Sequence, residues 1–127
     1  MRTITRTRTL LLGALAAAAL AAAGSGLAAT TNTVNGTVGP GFTIGLTMQG
    51  KKVTKLKAGK YTFVVHDKSS IHNFTVEQEK GGKFEKHLTT TPFVGTKSVT
   101  ITLKKGKWKF YCSNHESTMF GFFTVTS

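Results

Sequence analysis

Nine residues near the C-terminus, Tyr111-Cys112-Ser113-Asn114-His115-Glu116-Ser117-Thr118-Met119, hold the chain's only cysteine, a histidine and a methionine. A thiolate, an imidazole and a thioether are soft to borderline donors, and one tight loop lets them reach a single metal ion. A trigonal Cys/His/His site with a weak methionine on its axis is the arrangement that suits copper in one-electron transfer. The loop supplies three of those four groups, so a second histidine has to come from elsewhere. His72, in Ser70-Ile71-His72-Asn73-Phe74, is the candidate. Zinc suits the same donors, but divalent copper binds them more tightly.

Such a site needs a rigid frame, and the hydrophobic pattern predicts one built from strands. Phe42, Ile44, Leu46 and Met48 alternate with polar or small residues, a half-buried strand entered through Gly39-Pro40-Gly41. Tyr61 to His66 reads as another strand. Ile71 to Glu77 alternates again, with His72, Phe74 and Val76 on one face and Asn73, Thr75 and Glu77 on the other. Residues 78–96 carry little pattern; Phe84 and Leu88 are spaced for one helical turn, and 89–95 reads as loop. Val99, Ile101 and Leu103 alternate, Lys104-Lys105-Gly106 turns, and Trp108, Phe110 and Cys112 share an inner face opposite Lys107, Lys109 and Tyr111. A last strand runs from about Phe120 to Val125. Short strands at this spacing, without a long helical period, predict an all-β fold, an antiparallel Greek-key β-sandwich. Cys112 at the end of one strand and His72 at the start of another can then meet at one pole.

Residues 1–29 read as a secretory signal peptide: Arg2, Arg6 and Arg8, then an apolar run from Leu10 to Ala23, then small residues up to Ala29. The run is short for a membrane span. Residues 30–127 form the predicted domain, exported to a periplasm or the cell exterior and expected to be a monomer. A lone cysteine in an exported chain has no internal disulfide partner, and a free thiol there is a liability unless buried or bound to metal. The mature part carries fourteen lysines against Asp67, Glu77, Glu79, Glu85 and Glu116, a net +9 with no arginine. Nucleic-acid readers rely on arginine for bidentate contacts, so nucleic acid is not the expected partner. Lysines spread over turns fit solvated loops that favour a partner with an acidic docking surface.

Ile71-His72-Asn73-Phe74, Phe110-Tyr111-Cys112-Ser113-Asn114-His115 and Met119-Phe120-Gly121 resemble the cupredoxins, the small blue copper proteins that include plastocyanin, pseudoazurin and azurin. The resemblance covers most of residues 30–127, best from Gly59 to Val125. It implies one copper ion, with His72, Cys112 and His115 as strong ligands and Met119 as the weak axial one. It also implies that Asn73 and Ser113 tie the two ligand segments together by hydrogen bonds. The chain departs from the pattern in two places. Three residues separate His115 from Met119, one fewer than in plastocyanin and pseudoazurin, and Asn114 stands where short-loop members commonly have proline. These departures bear on the axial distance and the potential.

The expected function is therefore electron transport between protein redox partners, by Cu(I)/Cu(II) cycling. An exported copper-delivery protein is the alternative; it calls for an open site with extra methionine or histidine on flexible segments. Catalysis by a copper enzyme calls for a second centre built from several more histidines, and His66 and His87, read as solvent-exposed, are the only ones left. Phe93 and Phe120 are candidates for the rim around His115.

Overall fold

The structure, a computed structural model, describes residues 32–127. The predicted signal peptide lies outside the described residues. Among the described residues, ten strands form two five-stranded sheets. The first has the order β3 (Lys51–Lys52), β2 (Ile44–Met48), β1 (Asn32–Val38), β5 (Gly59–Asp67), β8 (Gly95–Leu103). The second has the order β4 (Lys55–Lys57), β10 (Phe120–Thr126), β9 (Gly106–Tyr111), β6 (Thr75–Lys80), β7 (Glu85–His87). The β-sandwich is as expected. Most pairs are antiparallel, but β1 runs parallel to β5 and β10 parallel to β4, so both sheets are mixed. No helix among the described residues is long and apolar enough to cross a membrane.

Alternation fills the space between the sheets. Val34, Val38, Leu46, Phe63 and Val65 from the first sheet face Val76, Trp108, Phe110, Phe123 and Val125 from the second, all nearly inaccessible to water. Two buried polar tips find backbone acceptors: Trp108 Nε1 donates to the Lys104 carbonyl at 2.8 Å and Tyr61 Oη to that of Lys57 at 2.8 Å.

The packing nearest the pole depends on two glycines. Phe74 and Phe110 stack with centroids 5.9 Å apart and planes 3° from parallel. A Cβ at Gly36 would come within 2.8 Å of the Phe74 ring, and one at Gly121 would overlap the Phe110 ring. Absent side chains therefore make room for the aromatic pair. Phe74 follows two residues after His72, and Phe110 precedes Cys112 by two, so the stack joins the two predicted ligand segments from below.

The chain differs from its sequence pattern in three stretches. Strand β6 starts at Thr75 rather than Ile71, and Asn73 and Thr75 are buried instead of facing water. The spacing of Phe84 and Leu88 does not make a helical turn, because Glu85 to His87 pair with Glu77 to Thr75. Phe42 is not a core residue of β2. Gly39 N donates to the Thr43 carbonyl at 2.8 Å and Thr43 Oγ1 to that of Pro40 at 2.9 Å, closing a turn that leaves Phe42 62% exposed.

Candidate metal centre

The end of β9 and the segment before β6 converge as the strand parities require. Cys112 and His72 are fully buried, and His115 is half-buried on the following loop. The loop closes on itself: His115 N donates to the Cys112 carbonyl at 3.0 Å, Met119 N to the His115 carbonyl at 2.9 Å, and Cys112 N to the Met119 carbonyl at 3.0 Å. Met119 is buried and bonded through its backbone to both neighbours.

Three donor atoms face a common point. His72 Nδ1 and His115 Nδ1 lie 3.0 Å apart, and Cys112 Sγ is 3.8 Å from each. His72, Cys112 and His115 are the one group of this kind among the described residues. A triangle with those sides contains a point about 2.0 Å from each nitrogen and about 2.2 Å from the sulfur, close to known metal–imidazole and metal–thiolate bond lengths. Among the described residues no carboxylate belongs to the group. The donor set therefore fits a soft or borderline ion.

Around this triangle most polar groups are paired, although the buried His72 Nε2 has no hydrogen-bond partner. Asn73 N donates to Cys112 Sγ at 3.4 Å. The Asn73 side chain donates through Nδ2 to Ser113 Oγ at 2.7 Å and accepts Ser113 N at 3.0 Å through Oδ1. The two segments are thus clamped by one amide, the arrangement the resemblance implied for Asn73 and Ser113. Asn114 adds a second tie, donating to the Ile71 carbonyl at 3.2 Å and to Thr91 Oγ1 at 3.0 Å. Thr91 in turn bonds the His72 carbonyl at 3.4 Å.

The rim was misread from the sequence. Phe42 meets His115 edge to face at 4.9 Å and His72 at 5.3 Å. Together with the loop from Asn114 to Thr118 it lines an open depression of about 690 Å³ beside His115. Phe93 packs under Gly95 instead, and Phe120 contacts Phe122 on the outer face of the second sheet. His66 is half-buried beside Thr96 Oγ1 at 3.2 Å, and His87 is exposed. Neither joins the triangle.

That outer face gathers four of the chain's five acidic residues. Lys109 Nζ lies 2.6 Å from Glu116 and 3.8 Å from both Glu77 and Glu79, and Tyr111 Oη donates to Glu85 at 2.7 Å. Burial and the neighbouring Glu79 push the Glu77 carboxyl up, against the pull of Lys109. Burial would lower the Lys109 ammonium, but Glu116, Glu77 and Glu79 outweigh it and the net shift is upward. Burial, then the bond to Glu85, pushes the Tyr111 phenol up.

No family model matches the sequence, and no curated protein matches it. Solved structures do. The copper protein rusticyanin is 20% identical, with a TM-score of 0.51 over 76% of this chain and 78% of that one. This chain has the cupredoxin fold. Reduced rusticyanin gives 19% identity and a TM-score of 0.50 over 76% and 79%. An oxidised amicyanin variant gives 14% identity and 0.46 over 75% and 81%. Within the cupredoxin fold the site residues lie where two loops meet at one end of the sandwich. The sequence had no signal for Phe42, Thr75 or His87, whose places depend on a turn and on cross-strand register.

Proposed function

We propose that the chain is an exported mononuclear blue copper protein that carries single electrons between protein partners. One observation carries this reading: two imidazole nitrogens and a cysteine sulfur, from two different segments, turned to one point at bonding distances for one ion. His72, Cys112 and His115 would hold the copper ion, with Met119 as a further, weaker ligand. Copper bound there would supply the Cu(I)/Cu(II) couple.

The protein's part is to keep the ligands still. One-electron transfer is fast when geometry changes little, and here the donors are fixed by β9, by the Phe74–Phe110 stack and by the Asn73 clamp. Burial of His72, Cys112 and Met119 favours retention of the ion over its delivery. His115, half-buried beside exposed Phe42, is the edge through which an electron would pass. The partner expected from the charge has an acidic docking surface. Four glutamates are engaged around Lys109 and Tyr111 and Asp67 is buried, which leaves most of the remaining surface to lysine.

The test is the visible spectrum of the purified protein after Cu(II) is added. Intense thiolate-to-copper charge transfer is expected in the wild type and its complete loss in Cys112→Ser, with the far-UV spectrum of the sandwich unchanged. A colourless wild type, or a Cys112→Ser protein with the same band, overturns the reading.

A further inference from the structure

The clamp at Asn73 continues outward to the surface, and the positions of its protons can be deduced. Ser113 N can only donate, so the Asn73 atom 3.0 Å from it is the oxygen. Thr75 Oγ1 lies 3.0 Å from that same Oδ1, and an amide oxygen only accepts, so the threonine hydroxyl donates its single proton there. His87 Nδ1 lies 2.7 Å from Thr75 Oγ1. With the hydroxyl proton already used, the imidazole must be the donor, and His87 carries a proton on Nδ1.

We propose that His87 and Thr75 are positioning residues for the cysteine sulfur, acting through Asn73. The proposal rests on the copper reading of the site. The chain runs from His87 Nδ1–H to Thr75 Oγ1–H to Asn73 Oδ1, and the backbone N–H of that same asparagine donates to Cys112 Sγ at 3.4 Å. The two outer bonds polarise one another, and beyond Asn73 Oδ1 the chain acts by position, holding in place the asparagine whose backbone N–H meets the sulfur. Thr75 is fully buried and directly opposite His87 in the β6–β7 register, and His87 is exposed at the sheet edge. The short strand β7 thereby has a role: it brings one imidazole to the end of the chain. Hydrogen bonding at a cysteine sulfur tunes a copper potential. A slack clamp leaves more electron density on sulfur, which favours the oxidised ion.

The test has two independent arms. In metal-free protein, long-range 15N–1H NMR should find the His87 proton on Nδ1, and Ser113 and Asn73 amide protons should exchange faster in Thr75→Val. A proton on Nε2 of neutral His87 overturns the chain, whatever metal the site takes. In copper-loaded protein, Thr75→Val and His87→Phe should lower the midpoint potential and move the charge-transfer band to longer wavelength. His87→Asn, whose amide N–H can stand in for Nδ1–H, should restore both. Unchanged potential and band in a folded His87→Phe protein overturn the proposal. Loss of fold in Thr75→Val leaves the decision to the surface variants at His87. Absence of any wild-type band strikes at the copper reading instead, and the NMR arm still decides the chain.

Discussion

The metal pole and the outer face of the second sheet both bury polar groups, but they stabilise them by opposite means. At the pole the clamp is neutral: one amide, two hydroxyls and backbone N–H groups, each donor matched to an acceptor. On the outer face the groups are formally charged, with Lys109 shared among Glu77, Glu79 and Glu116 at unequal distances. Directional neutral bonds fix positions and depend little on salt or pH. A shared charge tolerates displacement and depends on both. The region that must not move uses the first device, and the region open to solvent uses the second. Glu116 connects them, since it follows His115 and bonds Lys109.

The comparison breaks most visibly at Asn73. Asn73→Ala leaves the fully buried Thr75 hydroxyl without its acceptor, an orphan that costs about 1–3 kcal/mol, and removes the ties to the more exposed Ser113 as well. The expected loss is on the order of 3 kcal/mol in urea unfolding of the metal-free protein, nearly the same across neutral and mildly acidic pH. A loss that faded with acidity would mean that the clamp is not the neutral device described.

Lys109→Met should have a smaller effect of a different kind. It leaves Glu77, Glu79 and Glu116 crowded without a cation, a loss on the order of 1 kcal/mol at neutral pH because Glu116 is 55% exposed and screened. The deficit relative to wild type should shrink as the carboxylates take up protons, and shrink as well with added salt. Combined with Asn73→Ala, the two losses should add, since the sites share no hydrogen bond. Strong non-additivity would show that Glu116 couples the two regions.

These two regions also differ in how far the sequence discloses them. The donors were legible because their chemistry is rare and because strand parity turned His72, Phe110 and Cys112 inward, as found. Parity also turned Asn73 and Thr75 outward, and there it failed. It assigns a side chain to a face without saying what covers that face, and Ser113 and His87 cover these two. Phe42 continued the β2 alternation in sequence, but the turn at Gly39 to Thr43 takes it out to the histidines. The carboxylate cluster had no local signal at all. Its members are spread from residue 77 to 116, and only the pairing of Glu77 with both Lys109 and Glu85 brings them together. Parallel pairing of β1 with β5 was equally hidden, because it joins strands far apart in the chain.

The finest test of the charged face is the proton that Glu77 holds. Its carboxyl is raised above the ordinary range, by burial first and by Glu79 second. The native state therefore binds a proton at pH values where the unfolded chain has already lost it. Stability contributed by this group is present when Glu77 is protonated and falls as pH rises from the ordinary carboxylate range through the raised native value. The wild-type curve alone sums this group with every other that titrates. The difference between wild type and Glu77→Gln isolates the term. Glutamine keeps the size and the capacity to bond Tyr111, but has no charge to repel Glu79. The variant should match the wild type at acid pH and gain on it, by a few tenths of a kcal/mol, toward neutrality. If Glu77→Gln is instead less stable at neutral pH, attraction to Lys109 outweighs the crowding and the face is a net-favourable ion network.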